Sequence, residues 1–507
     1  MGYWDSVFMG FSICLQPINL FYCFVGVFVG TLIGVLPGIG PVATISMLLP
    51  VTFNISPVGG VIMLAGIYYG AMYGGSTTSI LVNIPGEIAS VVTCIDGYQM
   101  ARQGRAGPAL GISAFGSFIA GTFSVVLLSF LAPPLASMAL QFGPPEYFAL
   151  MTLGLTLLNY LVHGSMIKAM MMACIGLVLS LVGIEDLSGY ERFTFGFATL
   201  QDGIGLVPVA MGVFGIGEVL INLEESIATR DIFKTKISHL LPNLQDWKES
   251  VWPIIRGSFI GFVVGIIPGA GSTLATFASY AVEKRVSKNP EKFGKGAIEG
   301  VAGPESANNA GVGGMFVPLM TLGIPTTPVM ALILGALIIF GLQPGPLLIA
   351  RHPEIFWGVV ASMYIGNIML LVLNLPLIGM WVQVLRVPYP ILFPIILLFC
   401  LIGAYSLGNN KYDVLIMVIF GVIGYLMRKT HFEGAPLLLA IVLGPMLETD
   451  FRKSLIMSGG NFMIFLNRPI AAAFLIVAIF LVVVPIIQWF LGRRTRFVTD
   501  LPMEDEA

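Results

Sequence analysis

Charge is scarce in this sequence. Its 507 residues include 25 Lys and Arg and 27 Asp and Glu, 10% of the chain, where a soluble protein carries roughly 25%. With 56% hydrophobic residues and a mean hydropathy of +0.91, the chain has too little polar surface to stay in water. A polytopic membrane protein is expected. No Lys or Arg precedes Arg102, so the start lacks the basic region of a secretory signal and insertion through uncleaved helices is expected.

Cysteine is sparse as well. Cys14, Cys23, Cys94, Cys174 and Cys400 show no CxxC spacing and sit in or beside apolar runs, where a free Cys behaves as a small hydrophobe. This argues against a disulfide framework or a thiolate metal site. His163, His239, His352 and His431 form no HExxH pair, and a net charge of -2 without a basic stripe gives nucleic acid no footing. No Asp pair or Ser/His combination stands out at membrane depth, so a membrane-embedded enzyme lacks its catalytic groups; the chain reads as neither enzyme nor cofactor protein.

What the sequence does have is a succession of apolar runs, each long enough, at about 20 residues, to cross the hydrocarbon core. Barrel strands would show dyad alternation instead, so an all-α bundle is expected. Several runs are interrupted. "GTLIGVLPGIG" (30–40) lies over "GFVVGIIPGAG" (261–271) without a gap, matching Gly30, Gly34, Pro37, Gly38 and Gly40 to Gly261, Gly265, Pro268, Gly269 and Gly271. "YGGSTTSILVNIPGE" (73–87) lies against "GGMFVPLMTLGIPTT" (313–327), and residues 159–176 lie against 404–421. The chain therefore reads as two halves, 1–229 and 257–455, joined by a cytoplasmic linker at 230–256 and followed at 456–507 by an extra helix and tail.

Loop charge gives the halves opposite orientations. Arg102 and Arg105 follow NIPGE, whereas residues 328–350 after GIPTT carry no charge; Arg230, Lys234, Lys236, Lys248 and Arg256 precede the second PGxG, whereas no basic residue precedes the first. Inverted-topology repeats are a signature of secondary transporters. The N-terminus is placed outside and the C-terminus inside, with Arg493, Arg494 and Arg496 holding the tail; Arg452, Lys453 and Arg468 fall outside and disagree with the rule. Glu146, Lys168, Glu218 and Asp413, at the ends of apolar runs, read as interface anchors.

Residues 257–282 lie between two basic loops, so the segment is expected to enter and return as two half-helices of about 13 residues, each roughly 20 Å long. Proline removes a backbone donor and glycine tolerates the reversal. Uncovered peptide groups at depth are tolerated only beside protein, water or ligand, and a half-helix N-terminus favours an anion. A lone Gly-Pro break is usually a packing kink; two copies in register point to a site.

Around the breaks lie Gly38, Ile39, Gly40, Ser76, Thr77, Thr78, Asn83 and Pro85 in the first half. The second half supplies Gly269, Ala270, Gly271, Ser272, Thr273, Asn308, Asn309, Pro325, Thr326 and Thr327. These are candidate substrate-binding residues, with Ser272 either a ligand or a helix cap. Gly38, Asn83, Gly269, Asn308 and Thr321 are candidate oxygen ligands for Na⁺. Glu87 and Glu305, the nearest acidic residues, either carry a coupling proton or sit at a mouth or cap a half-helix.

The combination of "GVLPGIGP", "YYGAMYGGS", "NIPGE", "DGYQMARQGRAGPALGI", "GPESANNA" and "TLGIP" resembles the large membrane subunit of the tripartite tricarboxylate transporters over nearly the whole chain. The resemblance implies a bacterial inner-membrane importer of citrate or another di- or tricarboxylate, driven by Na⁺ or H⁺ and moving its paired tips in an elevator-like manner. It also implies a small membrane subunit and a periplasmic binding protein as partners. Homodimerisation stays open. Motif positions carry over to Gly38, Gly40, Ser76, Asn83, Pro85, Gly269, Gly271, Asn308, Asn309 and Pro325, with one departure: Thr326 stands where the family pattern has glycine. An ion channel would also use re-entrant loops, but its filter needs a continuous pore.

Overall fold

A computed structural model describes residues 2–36, 38–161, 165–185, 187–224, 240–385, 387 and 389–490. Pro37 of the first break, the loop residues Arg230, Lys234 and Lys236, and the tail residues Arg493, Arg494 and Arg496 lie outside the described residues.

Helices α1 (Tyr3–Cys14), α2 (Pro17–Val35), α3 (Gly40–Thr52), α4 (Pro57–Val82), α5 (Val91–Arg102) and the long α6 (Ala106–Ala139) come first. After α7 (Pro144–Leu161) and α8 (Met166–Ser180) a small antiparallel hairpin forms from β1 (Gly183–Ile184) and β2 (Glu191–Arg192). Then come α9 (Leu206–Ala210) and α10 (Gly217–Glu224), joined by a π-helical segment, Met211–Ile216. The series continues with α11 (Leu244–Ile266), α12 (Gly271–Val286), α13 (Glu299–Leu322), α14 (Pro328–Ile339), α15 (Pro346–Arg351), α16 (Pro353–Asn374) and α17 (Ile378–Val384). It ends with α18 (Tyr389–Gly408), α19 (Lys411–Lys429), α20 (Gly434–Met457), α21 (Ile464–Asn467) and α22 (Pro469–Phe490), the last lying along α7. Eight helical segments among the described residues are long and apolar enough to cross a membrane. The protein is an all-α, multi-pass membrane protein.

Helices α4 and α13 are buried almost end to end and form the centre. Each is gripped by a neighbour through glycines four residues apart. A Cβ on Gly26, Gly30 or Gly34 of α2 would stand 2.4, 2.4 or 2.3 Å from the carbonyl oxygens of Met63, Ile67 and Ala71 in α4. A Cβ on Gly257, Gly261 or Gly265 of α11 would stand 2.2, 2.2 or 2.3 Å from those of Gly303, Ala307 and Gly311 in α13. Lipid is as apolar as any side chain, so such helices associate through close backbone packing, which only small residues allow.

Helix α11 begins at Leu244, not near residue 257. Asn243 caps it by accepting from the amides of Gln245 and Asp246, while Asp246 accepts from the Asn243 amide and pairs with Arg105 at 2.5 Å. The first arm of this hairpin is therefore a 23-residue helix and only the second, at 16 residues, approaches the expected half-length.

Polar ties hold the ends of the bundle. At one end Arg256 donates to both carboxylate oxygens of Glu283, and the buried Asp96 of α5 accepts from Tyr280 and from the amides of Gly294, Gly296 and Ala297 at 2.8–2.9 Å. Elsewhere Arg192 pairs with Glu448, Arg452 with Glu448 and Glu185, and Arg468 with Glu146. Thus Glu146 is an ion-pair member, as is Glu218 with Arg428, while Lys168 donates to the Thr430 carbonyl and lies over Phe432.

Candidate functional site

The gap between α2 and α3 and that between α11 and α12 are the two PGxG runs. Gly38 and Gly269 turn there at φ +93° and +84°, a region closed to ordinary side chains. Helix α4 ends on Asn83 at φ +58° and α13 on Gly323 at φ +72°, each a left-handed cap, and Pro85 and Pro325 follow. Proline supplies no amide to continue either helix. Each half thus contributes one turned hairpin and one broken helix.

In the second half the two breaks are bonded together. The Gly269 amide donates to the Thr326 carbonyl at 2.9 Å, and Ser272 Oγ donates to the Asn308 carbonyl at 3.4 Å. The cap of α12 is Ala270, so Ser272 is no helix cap. In the first half Gly86 sits on the Gly34 carbonyl so closely that a Cβ would stand 2.0 Å away, and Thr78 Oγ1 donates to the Val35 carbonyl at 2.7 Å. Asn222 of α10 donates to the Gly38 carbonyl at 3.1 Å, a contact that nothing in its apolar surroundings announces.

The halves also meet each other. Helix α12 packs on the turn Ile88–Ser90 that follows the first broken helix, and α3 packs on α14, which follows the second. Asn308 Nδ2 donates to Glu87 Oε1 at 3.0 Å. Glu87 does cap the turn through the Ala89 amide, but it is buried against the second half. Glu305 lies inside α13, away from any mouth, and takes hydroxyl donors from Ser76, Thr93 and Ser113. Thr93 and Ser113 lie outside the sequence-derived candidates; their spacing carries no signal because three separate helices bring them in.

Ser76, Thr77, Thr78, Ser272, Asn308, Asn309, Thr321 and Thr326 are all buried. Ile39 and Ala270 are buried too; Gly38, Gly40, Pro85, Gly269, Gly271, Thr273 and Thr327 are half-buried, Pro325 is buried and Asn83 is exposed. Several hydroxyls are committed locally: Thr321 to the Val317 carbonyl, and Thr327 to the Met330 amide as cap of α14. Asn309 donates to Ser117 Oγ. Among the described residues, two buried side-chain oxygens near the breaks have no partner, Asn308 Oδ1 and Thr326 Oγ1; Ser306 Oγ, also unpaired, faces Gly116 of α6. Of the five Na⁺ candidates, Asn308 is the one that keeps a buried side-chain oxygen unpaired. Among the described residues no three His, Cys, Asp or Glu side chains gather as a metal site. Chemically, the region offers neutral oxygen donors and acceptors, turned backbone and two buried carboxylates.

No solved structure matches the chain. It is 53% identical over 496 residues to an uncharacterized 52.8 kDa protein in the TAR-I ttuC' 3' region of Agrobacterium vitis, covering 98% of this chain and 99% of that protein. A second Agrobacterium vitis protein, uncharacterized and in the TAR-II ttuC' 3' region, is 51% identical over 241 residues, 47% of this chain and all of that protein. Residues 20–439 match the tripartite tricarboxylate transporter TctA family, a transporter component that works with small membrane and periplasmic binding partners, and to that family the chain belongs.

Proposed function

We propose that the protein is the large permease subunit of a cation-coupled importer of tricarboxylates and dicarboxylates, binding its substrate between the Gly-Pro breaks of the two halves. The observation that carries this reading is the pair of unpaired buried oxygens, Asn308 Oδ1 and Thr326 Oγ1, on residues whose carbonyls bond Ser272 and the turned backbone at Gly269. Buried polar atoms without partners are rare in native proteins and need a reason. A bound solute with its ion supplies one. Na⁺ or H⁺ drives the cycle, with Gly38, Asn83, Gly269, Asn308 and Thr321 as the candidate Na⁺ positions.

The halves, 1–229 and 257–455 with α11 extending back to Leu244, are inverted repeats that move as an elevator. Support comes from the matching glycine grips, Gly26/Gly30/Gly34 and Gly257/Gly261/Gly265, and from left-handed caps at corresponding residues. The protein resides in the bacterial inner membrane, N-terminus periplasmic and C-terminus cytoplasmic. Arg452, Lys453 and Arg468 then lie on the periplasmic side, against the positive-inside bias, with Glu185, Glu448 and Glu146 pairing with the two arginines there.

Uptake of labelled citrate and succinate into vesicles containing the permease and its partners, with and without a Na⁺ or pH gradient, tests the function. Saturable, gradient-dependent uptake is expected; no uptake and no binding across a carboxylate panel overturns it. Reagent accessibility of single cysteines at positions 103, 240 and 290, all cytoplasmic in this arrangement, tests the topology.

A further inference from the structure

Glu305 is 1% exposed, in the middle of the bundle. Ser76 of α4 and Ser113 of α6 donate to its Oε2 at 2.5 and 3.1 Å, and Thr93 of α5 donates to its Oε1. Among the described residues no Lys, Arg or His pairs with it. Burying a carboxylate is costly unless its charge is balanced, and hydroxyl donors supply no charge. The exchange between halves is reciprocal: Glu305 of the second half is caged by hydroxyls of the first, while Glu87 of the first is bonded by Asn308 of the second.

We propose that Glu305 is a proton-binding site of the transport cycle and that the Ser76 hydroxyl is its switch; the role in transport rests on the carboxylate-import reading above. The cage oxygens stand at hydrogen-bond separations from the carboxylate, so a proton fits where a metal cation would have to push helices apart. A serine hydroxyl both donates and accepts, and Ser76 Oγ has a second acceptor, the Met72 carbonyl, at 3.4 Å. When a proton binds Oε2, the new O–H donates to Ser76 Oγ and the Ser76 hydrogen turns to the Met72 carbonyl. When the proton leaves, Ser76 turns back to Oε2. One O–H bond on the carboxyl forms or breaks, and only hydrogen bonds change besides. Ser76 lies about two turns before the broken end of α4, so the switch sits on the helix that carries the first tip.

A water-sized space lies one turn of α13 beyond Glu305. Asn309 Nδ2 donates to Ser117 Oγ and to the Glu305 carbonyl, and Asn309 borders a cavity of ≈ 20 Å³ lined also by Tyr73, Ser124 and Asn367, room for about one water. The titratable groups facing Glu305 are Tyr73 of α4, Glu87 of the first tip and Cys94 of α5. Toward the start of α13, Glu283 is paired with Arg256 beside Gly303, and Asp96 is held by Tyr280 and backbone amides beside Gly300.

The test uses the full chain in lipid nanodiscs. Infrared difference spectra across a pH titration are expected to show a neutral carboxyl band that is missing from Glu305→Gln and kept by Glu87→Gln. Should Glu305→Gln fail to fold, Ser113→Ala keeps the band and moves its midpoint. Citrate affinity measured by calorimetry and corrected for the ligand's own ionisation is expected to fall about tenfold per pH unit above that midpoint, as one linked proton requires, and to lose that dependence in Glu305→Gln. A band that persists in Glu305→Gln, a Ser113→Ala midpoint equal to wild type, or binding of radioactive sodium that requires Glu305 overturns the proposal. The two readings fail separately. A Glu305-dependent band without binding of any carboxylate defeats the import reading and leaves the proton site standing. Citrate binding that ignores both pH and Glu305 defeats the proton site alone.

Discussion

The two broken helices reach the same backbone reversal in different surroundings. Asn83 closes α4 in an exposed position, whereas Gly323 closes α13 in a buried one, where a Cβ would stand 3.3 Å from the Pro344 carbonyl. Asparagine tolerates left-handed backbone when it has room for its side chain; glycine is used where there is none. The hairpin turns differ as well. A side chain, Asn222, holds the first through the Gly38 carbonyl, and backbone, the Thr326 carbonyl, holds the second through the Gly269 amide. The first turn is therefore fastened by a group that mutation can remove, and the second by one that it cannot.

The largest effect is expected where the halves are alike. Gly30→Val and Gly261→Val drive a side chain into the Ile67 and Ala307 carbonyls, at about 3 kcal/mol or more each. Both variants should lose monodisperse protein in size-exclusion chromatography, and a well-folded Gly261→Val would break the parallel. Next come the turns themselves: Gly38→Val and Gly269→Val force strained backbone at about 1–2 kcal/mol and should abolish citrate uptake while inserting normally. Retained uptake in a stably expressed Gly269→Val variant would show that the second turn is a kink and not a site.

Smaller effects separate the halves. Asn308→Ala removes the donor to the buried Glu87, a hydrogen bond to an acidic group worth about 1.5–3 kcal/mol, so the melting temperature should fall; in the import reading the loss of the unpaired Oδ1 should also weaken citrate binding by roughly tenfold or more. Asn222→Ala removes the donor shared by the Gly38 and Glu218 carbonyls, at about 1 kcal/mol for the Gly38 bond, so uptake should fall roughly fivefold; an unchanged rate would mean that the first turn holds without its side-chain fastening. The smallest contrast is at the caps. Gly323→Ala should cost about 1–2 kcal/mol, whereas Asn83→Gly should leave stability unchanged or slightly raised, since glycine adopts the left-handed cap without a Cβ penalty, read as melting temperatures of the purified variants.

Much of this arrangement was legible in the sequence because the constraints are local. A proline between glycines breaks a helix wherever it falls, and the in-register copies at 30–40 and 261–271 located both turns and, through Gly30 and Gly261, the two glycine grips. The start of α11 was not legible as such, since Trp247, Lys248 and Glu249 resemble a loop in composition; the Asn243 cap and the Arg105 pair make them helical. The hydroxyl cage around Glu305 was invisible for another reason. Thr93 and Ser113 stand in two other helices, more than 190 residues away along the chain, and nothing in either run marks its hydroxyl as turned inward. The ion pairs of Arg452 with Glu185 and of Arg468 with Glu146 were hidden in the same way, since each joins segments far apart along the chain.

Asp96 gathers three amides of one short loop, Gly294, Gly296 and Ala297, and the Tyr280 phenol onto one carboxylate, fixing the segment between α12 and α13 to α5. A joint of that kind behaves as a splint. Helices α5, α12 and α13 are tied at this end, so any conformational change that moves one of them has to carry the others or break these four bonds.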